Sequence, residues 1–191
     1  MTLSPAPRRG RPDPAPTPRR NPGRATGGGK TSFSFWLLEQ LRGEGVRCAG
    51  YKPICCGDRA DAELLLAASS PGLTLEQINP VWLKTPAAPL TAALAEKREL
   101  DLAALREGFE RLSEQVEFVV VEGVGGWLVP ITTDHFSSDL AADVRLPVGV
   151  VSHNRLCCVN DSFITFLTPQ PPHPPSSAAV APHTDFHAPP A

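Results

Sequence analysis

No stretch of the 191-residue sequence reaches the ~18–20 uninterrupted apolar residues that a membrane-spanning helix needs, so a helical membrane span is not expected. No two cysteines stand at the C-x₂-C spacing of a zinc site. The five present, Cys48, Cys55, Cys56, Cys157 and Cys158, are an odd number for a disulfide framework. They read as reduced, small apolar residues of an intracellular protein. No lysine occurs in residues 1–24, which carry six arginines and one aspartate. No apolar segment follows those charges, which excludes a cleavable signal peptide. No glycine follows Gly149.

What is abundant is proline. Of the 22 prolines, seven lie in residues 1–22 and eight in 169–191, against seven in the 146 residues between. Proline removes backbone donors and fixes φ, so both ends are poor material for packed structure. The charge is split in the same way. Residues 1–24 carry about +5, whereas 25–167 carry twelve Lys and Arg against eighteen Asp and Glu, a net −6. Clustered arginine pairs with phosphate, but the proline-rich context reads as a solvated leader, and nucleic acid is not an expected partner. The expected organisation is a leader over 1–23, one domain over 24–167 and a Pro/Ala/His-rich tail over 168–191.

Within the domain, residues 31–42 carry a broad apolar face (Phe33, Phe35–Leu38, Leu41) and predict a helix ending at Gly43. Residues 46–51 predict a short strand stopped by Pro53, and 61–68 a short helix. Asp101 caps a predicted helix over 102–115, with apolar positions Leu102, Leu105, Phe109 and Leu112. The apolar runs at 118–123 and 147–151 read as buried parallel strands. Strands alternating with helices predict a three-layer α/β domain around a parallel sheet.

Three motifs could carry chemistry. The first is Gly23-Arg-Ala-Thr-Gly-Gly-Gly-Lys30-Thr31, placed just before a helix. Glycines let backbone N–H groups converge on phosphate oxygens, Lys reaches terminal phosphates, and a Thr hydroxyl can ligate Mg²⁺. Five residues separate Gly23 from Gly29 where the strict phosphate-loop pattern has four, so a glycine linker remains an alternative. The second is Tyr51-Lys52-Pro53 at the end of a strand, where a Lys could neutralise a phosphate; a solvated lysine is the alternative. The third is Val121-Glu-Gly-Val-Gly-Gly126, a carboxylate ending a very apolar strand. Glu122 with Asp61 and Thr31 could supply a Mg²⁺ site, and pairing of Glu122 with a helix N-terminus is the alternative.

Seven short motifs follow one another in the order found in dethiobiotin synthetases. They are Gly-Lys30-Thr31, Ala49-Gly-Tyr-Lys-Pro53, Asp61-Ala, Ile78-Asn-Pro80, Ala88-Pro89, Val121-Glu-Gly-Val-Gly-Gly126 and Leu146-Pro-Val148. Across about residues 24–167 the sequence resembles that family. The resemblance implies a cytoplasmic, homodimeric P-loop NTPase-like α/β enzyme. It implies ATP- and Mg²⁺-dependent joining of CO₂ or bicarbonate to 7,8-diaminononanoate, closing a cyclic urea. It makes Lys52 and Lys30 the catalytic lysines, and Thr31, Asp61 and Glu122 the Mg²⁺ ligands. Gly27, Gly28, Gly29, Lys30, Thr31 and Ser32 become the triphosphate cradle, joined at the nucleotide by Asp61, Glu122, Gly123, Val124 and Gly125. Cys56 takes the place of a substrate-contacting Ser, and Asn160 that of a residue holding the substrate's carboxylate tail.

The sequence departs from the family where a first strand should precede the loop, where Leu90 replaces a His, at Leu156–Asp161, and throughout the C-terminal segment. A missing central strand predicts a weakly stable chain with little turnover, because its neighbours keep unpaired ladders. Two further readings stay open: a catalytically inactive relative that acts as a binding or dimerising module, and another P-loop ATPase with a deviant loop.

Overall fold

The computed structural model describes residues 29–151; Gly27, Gly28 and Asn160, the leader, the tail and the cysteines Cys157 and Cys158 lie outside them. The first helix, α1, spans Lys30–Gly43, as its apolar face predicts. Its stop differs in detail. Gly43 is still helical, and the chain turns at Gly45, whose φ of 85° suits glycine alone. Val46 N–H then donates back to Leu41 O and closes the cap.

Strand β1 (Cys48–Tyr51) follows, and its ladder breaks at Pro53, which has no N–H to give. The chain bends at Pro53 and resumes as β2 (Ile54–Cys56), a strand that the proline hides in the sequence. The change of segment is also a change of neighbour. β1 pairs in parallel with β4 (Phe118–Val121), while β2 pairs in parallel with β3 (Val81–Leu83). Lys52 sits at the switch.

Helix α2 (Ala60–Ala68) and the single turn α3 (Leu75–Ile78) lie between β2 and β3. Beyond β3 come α4 (Pro89–Ala95) and α5 (Leu102–Ser113). Asp101 caps α5 as expected, its carboxylate accepting from Ala104 N–H at 3.0 Å. Helix α6 (Ser137–Asp143) closes the described chain.

Side chains of a strand alternate between faces, and β1 is buried on both. Cys48 and Gly50 face α1 and α2: the Cys48 thiol reaches Leu38 O, and Gly50 lies against Leu65 and Leu38. Tyr51 faces α5, its O–H donating to Leu105 O at 2.6 Å. This is the expected three-layer arrangement. The first apolar cluster (Leu38, Cys48, Ala49, Tyr51, Leu65, Ala68, Ile78, Leu112) surrounds β1. A second (Ile54, Leu83, Ala92, Ala93, Leu105, Ile131) lies at β2 and β3.

The two edges of the β1–β4 ladder differ. On the β1 side, the hydroxyls of Ser70 and Ser69 accept from Cys48 N–H and Gly50 N–H, both at 2.9 Å, in place of a neighbouring strand. On the β4 side, no other strand among the described residues pairs with it, and Phe118 is 46% exposed. The run 147–151, expected as a further buried strand, is not one. An apolar run becomes a strand only where a neighbour offers a matching ladder, and among the described residues it has none.

Burial pushes the Tyr51 phenol up to about 12. In the unfolded chain the group ionises near pH ~10. Its contribution to stability is therefore complete below about pH 10 and is lost as the pH rises toward 12. The stability difference between wild type and Tyr51→Phe, from urea midpoints, should shrink between pH 9 and pH 11; a constant difference would contradict this burial.

Candidate active site

The carboxyl ends of β1 and β4 lie side by side because the strands are parallel and in register, Tyr51 opposite Val121. Lys52 and Glu122, the next residues, therefore meet, and Glu122 N–H donates to Tyr51 O at 2.8 Å. Ligand crevices of open α/β sheets form at such ends. The start of α1 faces them. Its Thr31 O–H donates to Glu122 Oε1 at 2.8 Å. From the other side, Lys52 Nζ donates to the same oxygen at 2.7 Å, to Gly123 O at 3.2 Å and to Asp61 Oδ2, near the start of α2, at 3.4 Å.

Four residues from four elements or their ends thus form one polar cluster. Side-chain exposure is 6% for Lys52 and 2% for Glu122, so the pair is nearly out of water. Burial alone would pull the Lys52 ammonium down. The charge and hydrogen bond of Glu122, with Asp61 behind, outweigh it and leave the group above its ordinary value. Lys52 is consequently a fixed cation and not a proton acceptor at neutral pH. Lys30 is driven the other way, chiefly by burial and then by the Lys52 charge, with Glu122 and Asp61 partly compensating.

Gly29 precedes α1 with φ 69°, a left-handed conformation. Among the described residues no side chain caps the helix start, and no acidic residue stands in its first turn, so its N–H groups and dipole suit an anion. After Glu122 the backbone is open too. A side chain at Gly123 or Gly126 would meet nothing within 4 Å, whereas one at Gly125 (φ 64°) would strike Val129 at 2.8 Å. Ser137 N–H and Ser138 N–H, at the start of α6, hold this loop through Val129 O and Trp127 O.

The residues present fit a hard divalent cation. Glu122 Oε2 is buried with no hydrogen-bond partner among the described residues, an oxygen with electron pairs unused. Thr31 and Asp61 supply further oxygens. No group of three or more His, Cys, Asp or Glu suited to a metal occurs among the described residues. Few protein carboxylates are what Mg²⁺ takes when phosphate and water complete its shell.

Of the residues singled out in the sequence, Lys30, Thr31, Lys52, Asp61 and Glu122 are gathered here, with Gly29, Ser32, Gly123, Val124 and Gly125 in the adjoining backbone. Cys56 is not drawn into the cluster. It is half-buried against the second apolar cluster, while Cys55, on the opposite face of β2, is the cysteine beside Asp61 and Lys52. Sequence reasoning gave no role to Arg59 or Asn79, although the Ile78-Asn-Pro80 motif marked the second.

The family described as "AAA domain" matches residues 23–168. A protein of Akkermansia muciniphila named ATP-dependent dethiobiotin synthetase BioD is 44% identical over 137 residues, 72% of this chain and 64% of its own length. Proteins with the same name from Aromatoleum aromaticum and Xanthomonas axonopodis are 40% identical over 145 residues and 39% over 151. The match covers 72% of this chain and 64% of the former, and 75% of this chain and 67% of the latter. The chain thus spans a little under two thirds of the length of the first two.

Proposed function

The chain belongs to the AAA domain family of P-loop proteins and, within it, to the dethiobiotin synthetases, and from this we propose that it catalyses ATP-dependent carboxylation and ring closure of 7,8-diaminononanoate. One amine takes up CO₂ to give a carbamate. The γ-phosphoryl of ATP passes to a carbamate oxygen, releasing ADP. The second amine attacks the activated carbonyl carbon, phosphate leaves, and the cyclic urea of dethiobiotin closes.

The observation that carries this reading is the Lys52–Glu122–Asp61–Thr31 cluster at the start of α1. Every intermediate on this route is anionic, so catalysis consists mainly of positioning and charge neutralisation. Lys52, always protonated, neutralises the carbamate and the phosphoryl group in transfer. Gly27 to Ser32 cradle the triphosphate, with Lys30 on its terminal phosphates, and Gly123 to Gly125 line the nucleotide. Thr31, Asp61 and Glu122 would hold Mg²⁺, which when bound neutralises phosphate oxygens. Cys56 and Asn160 are proposed to contact the diamine. A cytoplasmic homodimer completes the proposal. Cys48, Cys55 and Cys56 are free thiols, and no described helix is long and apolar enough to cross a membrane. Trp36 and Leu94, 56% and 70% exposed, offer apolar surface to a second copy.

A second reading, an inactive relative that only binds nucleotide, is favoured by the unpaired side of β4 among the described residues. ADP release by the purified chain decides between them. Release that requires both 7,8-diaminononanoate and bicarbonate is the expected result. Release without the diamine would mark a different ATPase. Nucleotide binding with no release would mark the inactive relative.

A further inference from the structure

We infer that Asn79 is a positioning residue, fixing the backbone of Lys52 and the start of the helix that carries Asp61 through a single buried amide. As a statement about catalysis this rests on the synthetase reading; as a statement about Lys52 it does not.

Asn79 is 1% exposed and its side chain can give two N–H bonds while accepting through its oxygen. Each capacity is used. Nδ2 donates to Lys52 O at 2.7 Å and to Val81 O at 2.9 Å. Oδ1 accepts from Arg59 Nε at 3.0 Å, and the Asn79 backbone carbonyl accepts from Arg59 Nη2 at 2.9 Å. Amide orientation is fixed by this chemistry, since two carbonyl oxygens face one end and a guanidinium the other.

The partners explain the placement. Lys52 N–H donates to Ile78 O at 2.7 Å, so residues 78 and 79 hold both polar groups of the Lys52 backbone. They do so where Pro53 interrupts the ladder and no strand could. Arg59 immediately precedes α2, and its carbonyl accepts the Glu63 N–H in the first turn. Its guanidinium lies 5.3 Å from the centre of the Trp82 ring, so it is held on two sides. Asp61 is the second residue of that helix. Asn79 thereby ties together the two backbones whose side chains meet at 3.4 Å in the cluster. An apolar residue would fill the same space, but it would leave Lys52 O without its side-chain donor and Arg59 Nε without its acceptor.

The test uses the full chain and amine acetylation by a succinimidyl ester, read by mass spectrometry as labelling of Lys52 relative to exposed Lys97. Asn79→Asp keeps the Arg59 contact but loses both donors, and should raise the ratio about tenfold. Arg59→Met, at a less buried position, should raise it about threefold. Leu112→Ala, which loosens the first core cluster without touching these bonds, should change it by less than about twofold. If the Asn79 variant does not fold, Arg59→Met decides alone. A ratio unchanged in both, or raised equally by Leu112→Ala, overturns the inference. In ADP release, Asn79→Asp should lower kcat about 100-fold with KM for ATP nearly unchanged, because the phosphate cradle is elsewhere. If wild type releases no ADP, the synthetase reading fails, while labelling still decides the role of Asn79.

Discussion

Lys52→Ala is expected to abolish whatever substrate-dependent ADP release the chain shows, and to destabilise the fold by about 3–5 kcal/mol. The activity loss follows from the missing cation at the transferring phosphoryl, and the stability loss from Glu122. Glu122 is nearly out of water and its Oε1 is answered by Thr31 and by Lys52, of which only Lys52 brings a charge. Truncating the lysine strands a carboxylate in a place where it cannot be solvated. Adding Glu122→Gln to Lys52→Met, which keeps the stem without the ammonium, should restore most of the stability and none of the activity. Urea midpoints and ADP release on the two singles and the double check this. Wild-type turnover in Lys52→Ala would overturn the catalytic role. Additive stability losses in the double would show that the two side chains do not depend on one another.

Gly50→Val should lower stability by about 1–3 kcal/mol, although valine is the better strand former. A Cβ at Gly50 would come within 2.7 Å of Leu65 Cβ, next to the helix backbone, and within 3.2 Å of Leu38 Cδ1. The nearest contact, Leu65 Cβ, is not the far end of a flexible chain, so α2 must move from the sheet. That displacement reaches Asp61 near the start of the same helix. Gly43→Ala is the counterpart: nothing lies within 4 Å of its Cβ position, and a small gain of about 0.4–1 kcal/mol is expected. A Gly50→Val midpoint at or above wild type would refute the close packing of α2 on β1.

Much of this architecture is legible in the sequence because it rests on local signals. The apolar face of α1, the Asp101 cap and spacing of α5, and the unbroken Phe118–Val121 run each announce their element. β2 and β3 escape notice because they are three residues long, too short for a pattern, and Pro53 and Pro80 flank them. The run 147–151 misleads for the opposite reason. Its apolar character is a property of the residues, whereas a strand also needs a partner that they do not encode.

The sequence by itself determined which groups are available: a lysine after one apolar strand, a glutamate after another, a Lys-Thr pair at a helix start and an acid at a second helix start. Those follow from residue order and the short-range preferences of helices and strands. Only the tertiary structure decided that these groups meet, and in what state. Thr31 and Glu122 are 91 residues apart, and Lys52 and Glu122 are 70 apart. The parallel pairing of β1 with β4 brings their ends together, and the charge and hydrogen bond of Glu122 hold Lys52 as a cation against its burial. The part given to Asn79 was equally out of reach, because a buried amide takes its meaning from the carbonyls and the guanidinium that surround it.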